Sequence, residues 1–219
     1  LLTFYETELK QLPDMVSPKS LNRVFIWYGD ASVCPTIIKY VEDRKNAKQD
    51  ITKVDVRSIL LIEDSPRMYS ILLPLIYKEI MYQTKNLMNR SLSQSRRLLH
   101  LRGRAKILLT PNYETAQHFV KKYSKNMIGV ISDVRFPKKG VKQSEAGLKF
   151  AKWVRSVDPS IPIMLQSTQE ENQKMAEEVN ADFLHKGSHT LLNDLRRFMV
   201  QNFGFGDFIF RLSDNTQVG

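Results

Sequence analysis

Short runs of apolar residues alternate along this chain with longer segments whose apolar positions recur at helical spacing. The apolar runs predict strands at residues 56–63, 106–110, 127–132, 161–166 and 182–185. Several of these runs are apolar almost throughout, which is typical of strands that are buried on both faces. The pattern therefore predicts a parallel sheet in the interior of an α/β protein.

A segment with helical periodicity follows each predicted strand. The first begins at Pro66, which suits the first turn of a helix, and continues through apolar residues to Ile80. Further helices are predicted at residues 113–123, 145–157, 169–179 and 191–203. Residues 137–140, which include a proline and a glycine, predict a loop. Five strand–helix units imply right-handed crossovers and a doubly wound sheet.

Polar side chains stand at the carboxyl ends of four predicted strands. Glu63 and Asp64 close the first strand, and Asp133 closes the third. Ser167 and Lys186 follow the fourth and fifth. Because the carboxyl ends of parallel strands meet at one edge of a sheet, we expect these groups to lie together. Three acids, a hydroxyl and an amine suggest a magnesium-assisted acceptor of a phosphoryl group.

Most of these residues also have an ordinary structural explanation. Taken alone, Asp133 would more often belong to a turn, Ser167 would more often cap a helix, and Lys186 would be a solvated strand end. The pair Glu63 and Asp64 is harder to explain in this way, because burying carboxylates without a partner is costly. The other three residues gain weight from sharing the same sheet edge.

Composition agrees with a globular chain, since 42% of the 219 residues are hydrophobic and 26% are charged. Cys34 is the single cysteine and allows no internal disulfide, and no window approaches the ~20 apolar residues of a membrane-spanning helix. These features predict a cytoplasmic protein without a membrane segment. The chain begins with leucine rather than methionine, so we expect it to be a fragment of a longer protein.

The net charge of +10 is concentrated in residues 78–106, where Glu79 is the only acid. We expect this basic stretch to be largely solvated. A basic run can bind nucleic acid, but a solvated helical face is the commoner explanation. Neither a zinc-ligand spacing nor an RNA-binding signature accompanies it, so nucleic acid is not an expected partner.

Four segments together carry a resemblance to a known family. They are IEDS at residues 62–65, VISD at 130–133, PIMLQS at 162–167 and FLHK at 183–186. In this order and separation they resemble the receiver domain of two-component response regulators over residues 54–203. The resemblance implies a flavodoxin-like fold, a five-stranded parallel sheet of strand order 2-1-3-4-5.

The resemblance also implies roles for individual residues. Asp133 would accept the phosphoryl group, and Ser167 and Lys186 would stabilise its oxygens. The Mg²⁺ ligands would be Glu63 (through water), Asp64, Asp133 and the backbone carbonyl of Arg135. Such chemistry consists mostly of positioning and charge neutralisation.

A conformational switch is implied as well. In the family, the hydroxyl at the position of Ser167 moves toward the phosphoryl group, and the aromatic ring at the position of Phe183 turns inward. Two departures from the family pattern bear on this site. Gly187 stands where the family usually has proline, and Thr168 stands where a small residue is expected.

The sequence outside the receiver divides into three parts. Residues 1–50 predict a helix–strand–helix extension, whose strand–glycine–helix pattern parallels the end of the receiver. It is interpreted either as the end of an upstream degenerate receiver-like module or as an ordinary amphipathic extension. A long basic helical insertion is predicted at about residues 77–104, and residues 204–219 form a C-terminal tail.

A narrower resemblance covers nearly the whole chain. Segments such as WYGD at residues 27–30, KYVEDR at 39–44 and GFGDF at 204–208 are similar to receiver regions attached to phosphoenolpyruvate-synthase-like (pyruvate phosphate dikinase-like) proteins. This resemblance implies an output module elsewhere in the parent protein.

Three functional hypotheses follow. The first is a phospho-accepting receiver, a signalling protein rather than an enzyme, whose partner would be a sensor histidine kinase or a phosphotransfer protein and which by family analogy could dimerise. The second is a pseudo-receiver that serves as a docking or dimerisation module. The third is a haloacid-dehalogenase-type phosphatase. That family has an acid two residues beyond its nucleophile, whereas Pro66 stands two residues beyond Asp64, so this hypothesis is disfavoured.

Overall fold

The computed structural model describes residues 2–4, 23–90, 103–204, 210–211 and 217–218. The strands are β1 (Leu2–Thr3), β2 (Phe25–Ile26), β3 (Ser58–Ile62), β4 (Lys106–Thr110), β5 (Met127–Asp133), β6 (Phe136–Lys138), β7 (Val141–Gln143), β8 (Ile163–Ser167), β9 (Asp182–His185), β10 (Phe210–Arg211) and β11 (Gln217–Val218). The helices are α1 (Val33–Val54), α2 (Pro66–Arg90), α3 (Tyr113–Tyr123), α4 (Ala146–Val157), α5 (Asn172–Glu178) and α6 (Leu191–Asn202).

A five-stranded sheet of order β4-β3-β5-β8-β9 forms the centre of the molecule. All four neighbouring pairs of strands are parallel. Counted along the chain, the strand order is 2-1-3-4-5, the doubly wound flavodoxin-like order. The predicted fold class is therefore confirmed.

Both faces of the sheet are covered, because its strands carry apolar side chains on both sides. On one face α2 and α6 contribute Leu72, Ile76 and Phe198 to a buried cluster with Ile59 and Leu61. On the other face α3, α4 and α5 pack against the alternate residues of the same strands. Their buried side chains include Ala116, Val120, Val154 and Ala176.

The bounds of β4, β9 and α3 are those predicted from the sequence. Helix α2 runs to Arg90, beyond the predicted Ile80, whereas α5 is shorter than predicted and spans Asn172–Glu178 rather than residues 169–179. Helix α5 is the only one of the two whose start differs from the prediction. It begins later because the Ser167 hydroxyl accepts the N–H of Gln169 in a local turn.

Helix α1 covers the β4 edge of the sheet. It contributes Ala47 and Ile51 to the core on one face and Val33 and Tyr40 to the core on the other. The fully buried Asp43 of α1 accepts the backbone N–H of the β4 residue Ile107 at 3.0 Å. An edge strand that would otherwise expose its donors is thereby protected.

The expectation that the basic stretch is solvated is wrong at its end. Arg104 and Lys106 are buried, with 5% and 4% of their surface exposed. Arg104 Nη2 lies 2.7 Å from Asp43 Oδ1, and Lys106 Nζ lies 2.9 Å from Asp50 Oδ2. Acids of α1 compensate these charges, and sequence proximity alone gave no indication of that pairing.

Residues 137–140 were expected to form a loop, but they belong to a β-hairpin. Strands β6 and β7 pair antiparallel around a two-residue turn at Lys139 and Gly140. Both turn residues have positive φ, 52° and 77°. This is the backbone of a primed turn, which matches the twist of the flanking strands.

Several predictions fall outside the described residues. They are residues 5–22 of the extension, where its first helix was expected, the part of the basic insertion at residues 91–102, and most of the tail after Gly204. Residues 77–90 of the predicted insertion continue α2. In the part of the chain that the structure describes, no helix combines the length and apolar character needed to cross a membrane.

Candidate functional site

The carboxyl edge of the central sheet brings four of the predicted residues to strand ends. Glu63 directly follows β3, Asp133 is the last residue of β5, Ser167 is the last residue of β8, and Lys186 directly follows β9. Parallel pairing in register places these ends side by side. Asp64 continues from Glu63 at the same edge.

Lys186 links two of the acids. Its Nζ lies 2.8 Å from Glu63 Oε2 and 2.7 Å from Asp133 Oδ2. The Lys186 side chain is 7% exposed and that of Glu63 is fully buried. Charge-assisted hydrogen bonds of this length are strong in such an environment. A single ammonium group therefore pairs with two carboxylates at once.

The three acids lie close enough together to share a metal ion. Glu63, Asp64 and Asp133 each offer a carboxylate oxygen, and these oxygens lie within 4.8 Å of one another. Asp64 Oδ1 is buried and has no hydrogen-bond partner among the described residues. A buried acceptor without a donor is costly, and a hard divalent cation such as Mg²⁺ prefers carboxylate oxygens. The donor set therefore fits a divalent cation.

Burial and mutual charge change the ionisation of this cluster. Burial raises the pKa of Glu63 to about 7, the Lys186 ammonium lowers it in part, and the Asp133 carboxylate raises it further. For Lys186, burial opposes the charged form, but the carboxylates of Glu63 and Asp133 outweigh that effect and raise its pKa. The lysine therefore stays charged between the two acids.

Backbone contacts hold Asp133 in place. The N–H of Arg135 donates to Asp133 Oδ1 at 3.2 Å, while the Arg135 side chain is exposed. At the start of α4, the Gly147 N–H donates to the Val134 carbonyl at 2.9 Å. A Cβ at Gly147 would lie 2.3 Å from the Asp133 carbonyl oxygen. Only glycine allows α4 to approach the strand end so closely.

Gln166 is a member of the site that the sequence analysis missed. Its Nε2 donates to Glu63 Oε2 at 3.1 Å, and the residue is fully buried within β8. Its Oε1 has no hydrogen-bond partner in the described part of the chain. An amide inside an otherwise apolar strand was the available sequence signal, since such a group needs a buried partner.

The Ser167 hydroxyl forms hydrogen bonds with residues close to it in sequence. Its oxygen accepts the backbone N–H of Gln169 at 3.1 Å and the side-chain amide of Asn172 at 2.8 Å. The Lys186 N–H donates to the Ser167 carbonyl at 2.8 Å, which ties the two strand ends together. Phe183 is half-buried on the edge strand β9 and packs against the core below α3, α4 and α5. The two residues implied as a switch thus lie on neighbouring strands.

Lys142 of the unexpected hairpin is a second missed residue. Its Nζ lies 2.8 Å from Asp64 Oδ2. The Lys142 side chain is 48% exposed and the Asp64 side chain 18% exposed. Because the two residues are far apart in sequence, only recognition of the hairpin turn at Lys139-Gly140 could have suggested this contact.

No family model and no curated protein matches this chain. Among solved structures it is similar to a response regulator receiver domain protein from Clostridium thermocellum, with 13% identity and a TM-score of 0.48 over 68% of this chain and 95% of the other. It is also similar to the chemotaxis protein CheY4 of Vibrio cholerae, with 15% identity and a TM-score of 0.45 over 67% and 98% of the two chains. Likeness at this level concerns the fold alone, so any assignment of chemistry depends on the site geometry.

Proposed function

We propose that this chain is a phospho-accepting receiver whose phosphorylation site is Asp133. The observation that carries the proposal is the Lys186 ammonium, which lies within 2.8 Å of both Glu63 and Asp133 beside an acidic cluster able to hold a metal ion. A nucleophilic carboxylate, a cation for the phosphoryl oxygens and a metal-binding acid pair are the components that phosphoryl transfer requires.

Mg²⁺ is the proposed cofactor. Glu63, Asp64 and Asp133 would hold it, with the carbonyl of Arg135 as a further ligand. The buried, unpartnered Asp64 Oδ1 supports this assignment, because a cation would satisfy it. When bound, the ion supplies positive charge for the oxygens of an incoming phosphoryl group.

In the proposed reaction, a carboxylate oxygen of Asp133 attacks the phosphorus of the donor. The bond between phosphorus and the donor's leaving atom breaks, the leaving group keeps the electron pair, and Asp133 becomes an acyl phosphate. Lys186, which now pairs with Asp133 Oδ2, would transfer its hydrogen bond to a phosphoryl oxygen. Its pairing with Glu63 would hold it in position during this exchange.

Ser167 and Phe183 would convert this reaction into a conformational change. The Ser167 hydroxyl now accepts hydrogen bonds from Gln169 and Asn172, and its movement toward a phosphoryl oxygen would exchange these bonds for a new one. That exchange would alter the turn before α5 and the packing around the half-buried Phe183. The α5–β9 face would then present a different surface to a partner.

The proposal extends to partners and location. A sensor histidine kinase or a phosphotransfer protein would donate the phosphoryl group in the cytoplasm, and the chain would act as a signalling component rather than as an enzyme on other substrates. Dimerisation and an output module elsewhere in the parent protein belong to the same proposal.

A second candidate is a pseudo-receiver that docks or dimerises without being phosphorylated, as part of a larger phosphoenolpyruvate-synthase-like protein. Three features favour it. The Ser167 hydroxyl is already held by two donors, and Lys142 already pairs with Asp64. Gly187, in place of the family's proline, is the third feature in its favour.

The deciding experiment is intact-mass analysis after incubation with acetyl phosphate, with and without Mg²⁺. The variants are Asp133→Asn and, as a matched control, Asp194→Asn on α6. One phosphoryl adduct that requires both Mg²⁺ and Asp133, and that persists in the control, would support the receiver. No adduct on the unmodified chain, together with no binding of beryllium fluoride, would favour the pseudo-receiver.

A further inference from the structure

The hairpin β6–β7 carries a cation into the acidic cluster, since Lys142 Nζ lies 2.8 Å from Asp64 Oδ2. We propose that Lys142 competes with the divalent cation for Asp64 and thereby sets how much Mg²⁺ the site needs. This inference rests on the metal site of the proposed function and adds a regulatory residue to it.

The hairpin holds its position through contacts with α3. Phe136 is fully buried, and its ring stacks on that of Tyr113 with centroids 6.3 Å apart. Lys138 Nζ lies 4.0 Å from the centroid of the same Tyr113 ring. The Lys139 N–H donates to Glu114 Oε1 at 2.8 Å. None of these contacts involves the acidic cluster, so we expect the backbone of the hairpin to keep its position when a cation binds.

The Lys142 side chain itself can move independently. It is 48% exposed, and among the strands that the structure describes β7 pairs only with β6. Rotation about its side-chain bonds would carry the ammonium into solvent without breaking any hairpin hydrogen bond. The pairing with Asp64 is therefore reversible without unfolding a structural element.

Charge balance couples this movement to cation binding. The cluster contains three carboxylates, and two ammonium groups contact them, so with all groups ionised it carries one net negative charge. Adding a divalent cation would reverse that charge to one positive. If the cation replaces Lys142, the cluster becomes neutral. Entry of the cation and departure of the ammonium from Asp64 are thus favoured together.

The competition predicts a measurable effect. A partly exposed ion pair contributes modestly, so its removal should tighten cation binding about two- to fivefold. The experiment measures free Mn²⁺ by electron paramagnetic resonance during titration of the full 219-residue chain, with Mg²⁺ as competitor. Lys142→Gln is compared with Lys139→Asn, which removes the same charge from the same hairpin, suits the positive φ at that position and does not affect the contact with Asp64.

Tighter binding of both metals by Lys142→Gln, with Lys139→Asn and Lys142→Arg near the unmodified chain, would support the proposal. Binding that appears only in Lys142→Gln would support it as well. Unchanged or weaker binding in Lys142→Gln would overturn it, and so would equal tightening in Lys139→Asn, which would indicate a general effect of net charge.

A further variant distinguishes a failure of the acidic cluster as a cation site from a failure of the Lys142 proposal. Asp64→Asn should weaken Mn²⁺ binding sharply if the acidic cluster is the site. Binding that Asp64→Asn leaves unchanged, or an absence of binding in the unmodified chain and Lys142→Gln alike, would overturn the metal site of the proposed function and the Lys142 proposal with it. A working site that Lys142→Gln does not tighten would overturn the Lys142 proposal alone.

Discussion

The described part of the chain contains two clusters of buried charge that are built differently. The edge cluster comprises Asp43, Tyr77, Arg104 and Lys106, and it joins α1 and α2 to the strand β4. The acidic site comprises Glu63, Asp64, Asp133 and Lys186 at the carboxyl ends of the strands. In the first, donors surround a single acid. In the second, acids outnumber the cation between them.

In the edge cluster, both carboxylate oxygens of Asp43 have partners. Oδ2 accepts the Tyr77 hydroxyl at 2.8 Å and the Ile107 N–H at 3.0 Å. Arg104 Nη2 lies 2.7 Å from Oδ1, close enough for an ion pair although its angle is not that of a hydrogen bond. A buried charge with this many partners stabilises one arrangement of helices and strand.

In the acidic site, some carboxylate oxygens lack a hydrogen-bond partner or share one. Lys186 divides its charge between Glu63 and Asp133, while Asp64 Oδ1 is buried without a hydrogen-bond partner in the described residues. Such a site is destabilising unless a ligand completes it, which is common where binding or chemistry takes place. The difference between the clusters suggests that partner saturation, more than burial, distinguishes structural charge from functional charge.

The largest effect is expected from Asp43→Asn. Removing this charge leaves the buried Arg104 and Lys106 with only the partly exposed acids Glu42 and Asp50, so the free energy of unfolding should fall by about 3–5 kcal/mol in urea titrations. The control is Glu42→Gln, which alters an acid paired with the same Arg104 but 41% exposed, and should cost less than about 1 kcal/mol. Similar losses in the two variants would contradict the importance of Asp43.

Gly147→Ala tests whether the acidic site depends on close packing. The added methyl would clash with the Asp133 backbone, so we expect a loss of about 1–3 kcal/mol in the free energy of unfolding and weaker Mg²⁺ binding. Gly187→Ala is the control, because a Cβ there would meet only the His185 ring at 3.1 Å, and that side chain can move. A stable Gly147→Ala variant with normal Mg²⁺ binding would show that α4 does not position Asp133.

Asp133→Asn is the same type of substitution as Asp43→Asn, but it removes a carboxylate from the acidic site. It relieves repulsion with Glu63, so the metal-free protein should change by less than about 1 kcal/mol or become more stable. Stabilisation by Mg²⁺, measured as a shift of the urea midpoint, should largely disappear. A destabilisation as large as that of Asp43→Asn would remove the distinction between the two clusters.

The last expected effect is a dependence of stability on pH. Burial raises the pKa of Glu63 from its ordinary value of 4.5 to about 7. Between these values the folded state binds a proton that the unfolded state has lost, so the free energy of unfolding of the metal-free protein should decrease as pH rises from about 4.5 to 7.

Glu63→Gln should flatten this part of the stability curve, measured by urea titration in the presence of a chelator. The exposed Glu177→Gln on α5 is the matched control and should leave the slope unchanged. An unaltered slope in Glu63→Gln would show that another group is responsible.

Structural features that depend on contacts between residues near in sequence could be predicted, whereas features that depend on contacts between distant residues could not. Residues 106–110 and 113–123 formed the predicted strand and helix because their apolar periodicity and the cap at Asn112 act locally. The hairpin was missed because Phe136–Lys138 and Val141–Gln143 are too short for a periodic pattern. Lys142 was missed together with it.

The edge cluster was missed for a different reason. Nothing in the sequence around Asp43 indicates that Arg104, which lies beyond an entire strand and helix, will be its partner. The expectation of a solvated basic stretch followed from composition, which carries no information on distant acids. Such a pairing arises only when α1 packs across the β4 edge.

By itself the sequence determined the alternation of strands and helices, and with it the placement of Glu63, Asp133, Ser167 and Lys186 at strand ends. Periodicity is a local property, and parallel pairing then gathers the strand ends without further information. Only the tertiary structure decided which charges are satisfied, because that depends on packing between distant segments. Asp43 received donors from β4 and α2, whereas among the described residues Asp64 received only the half-exposed ammonium group of Lys142.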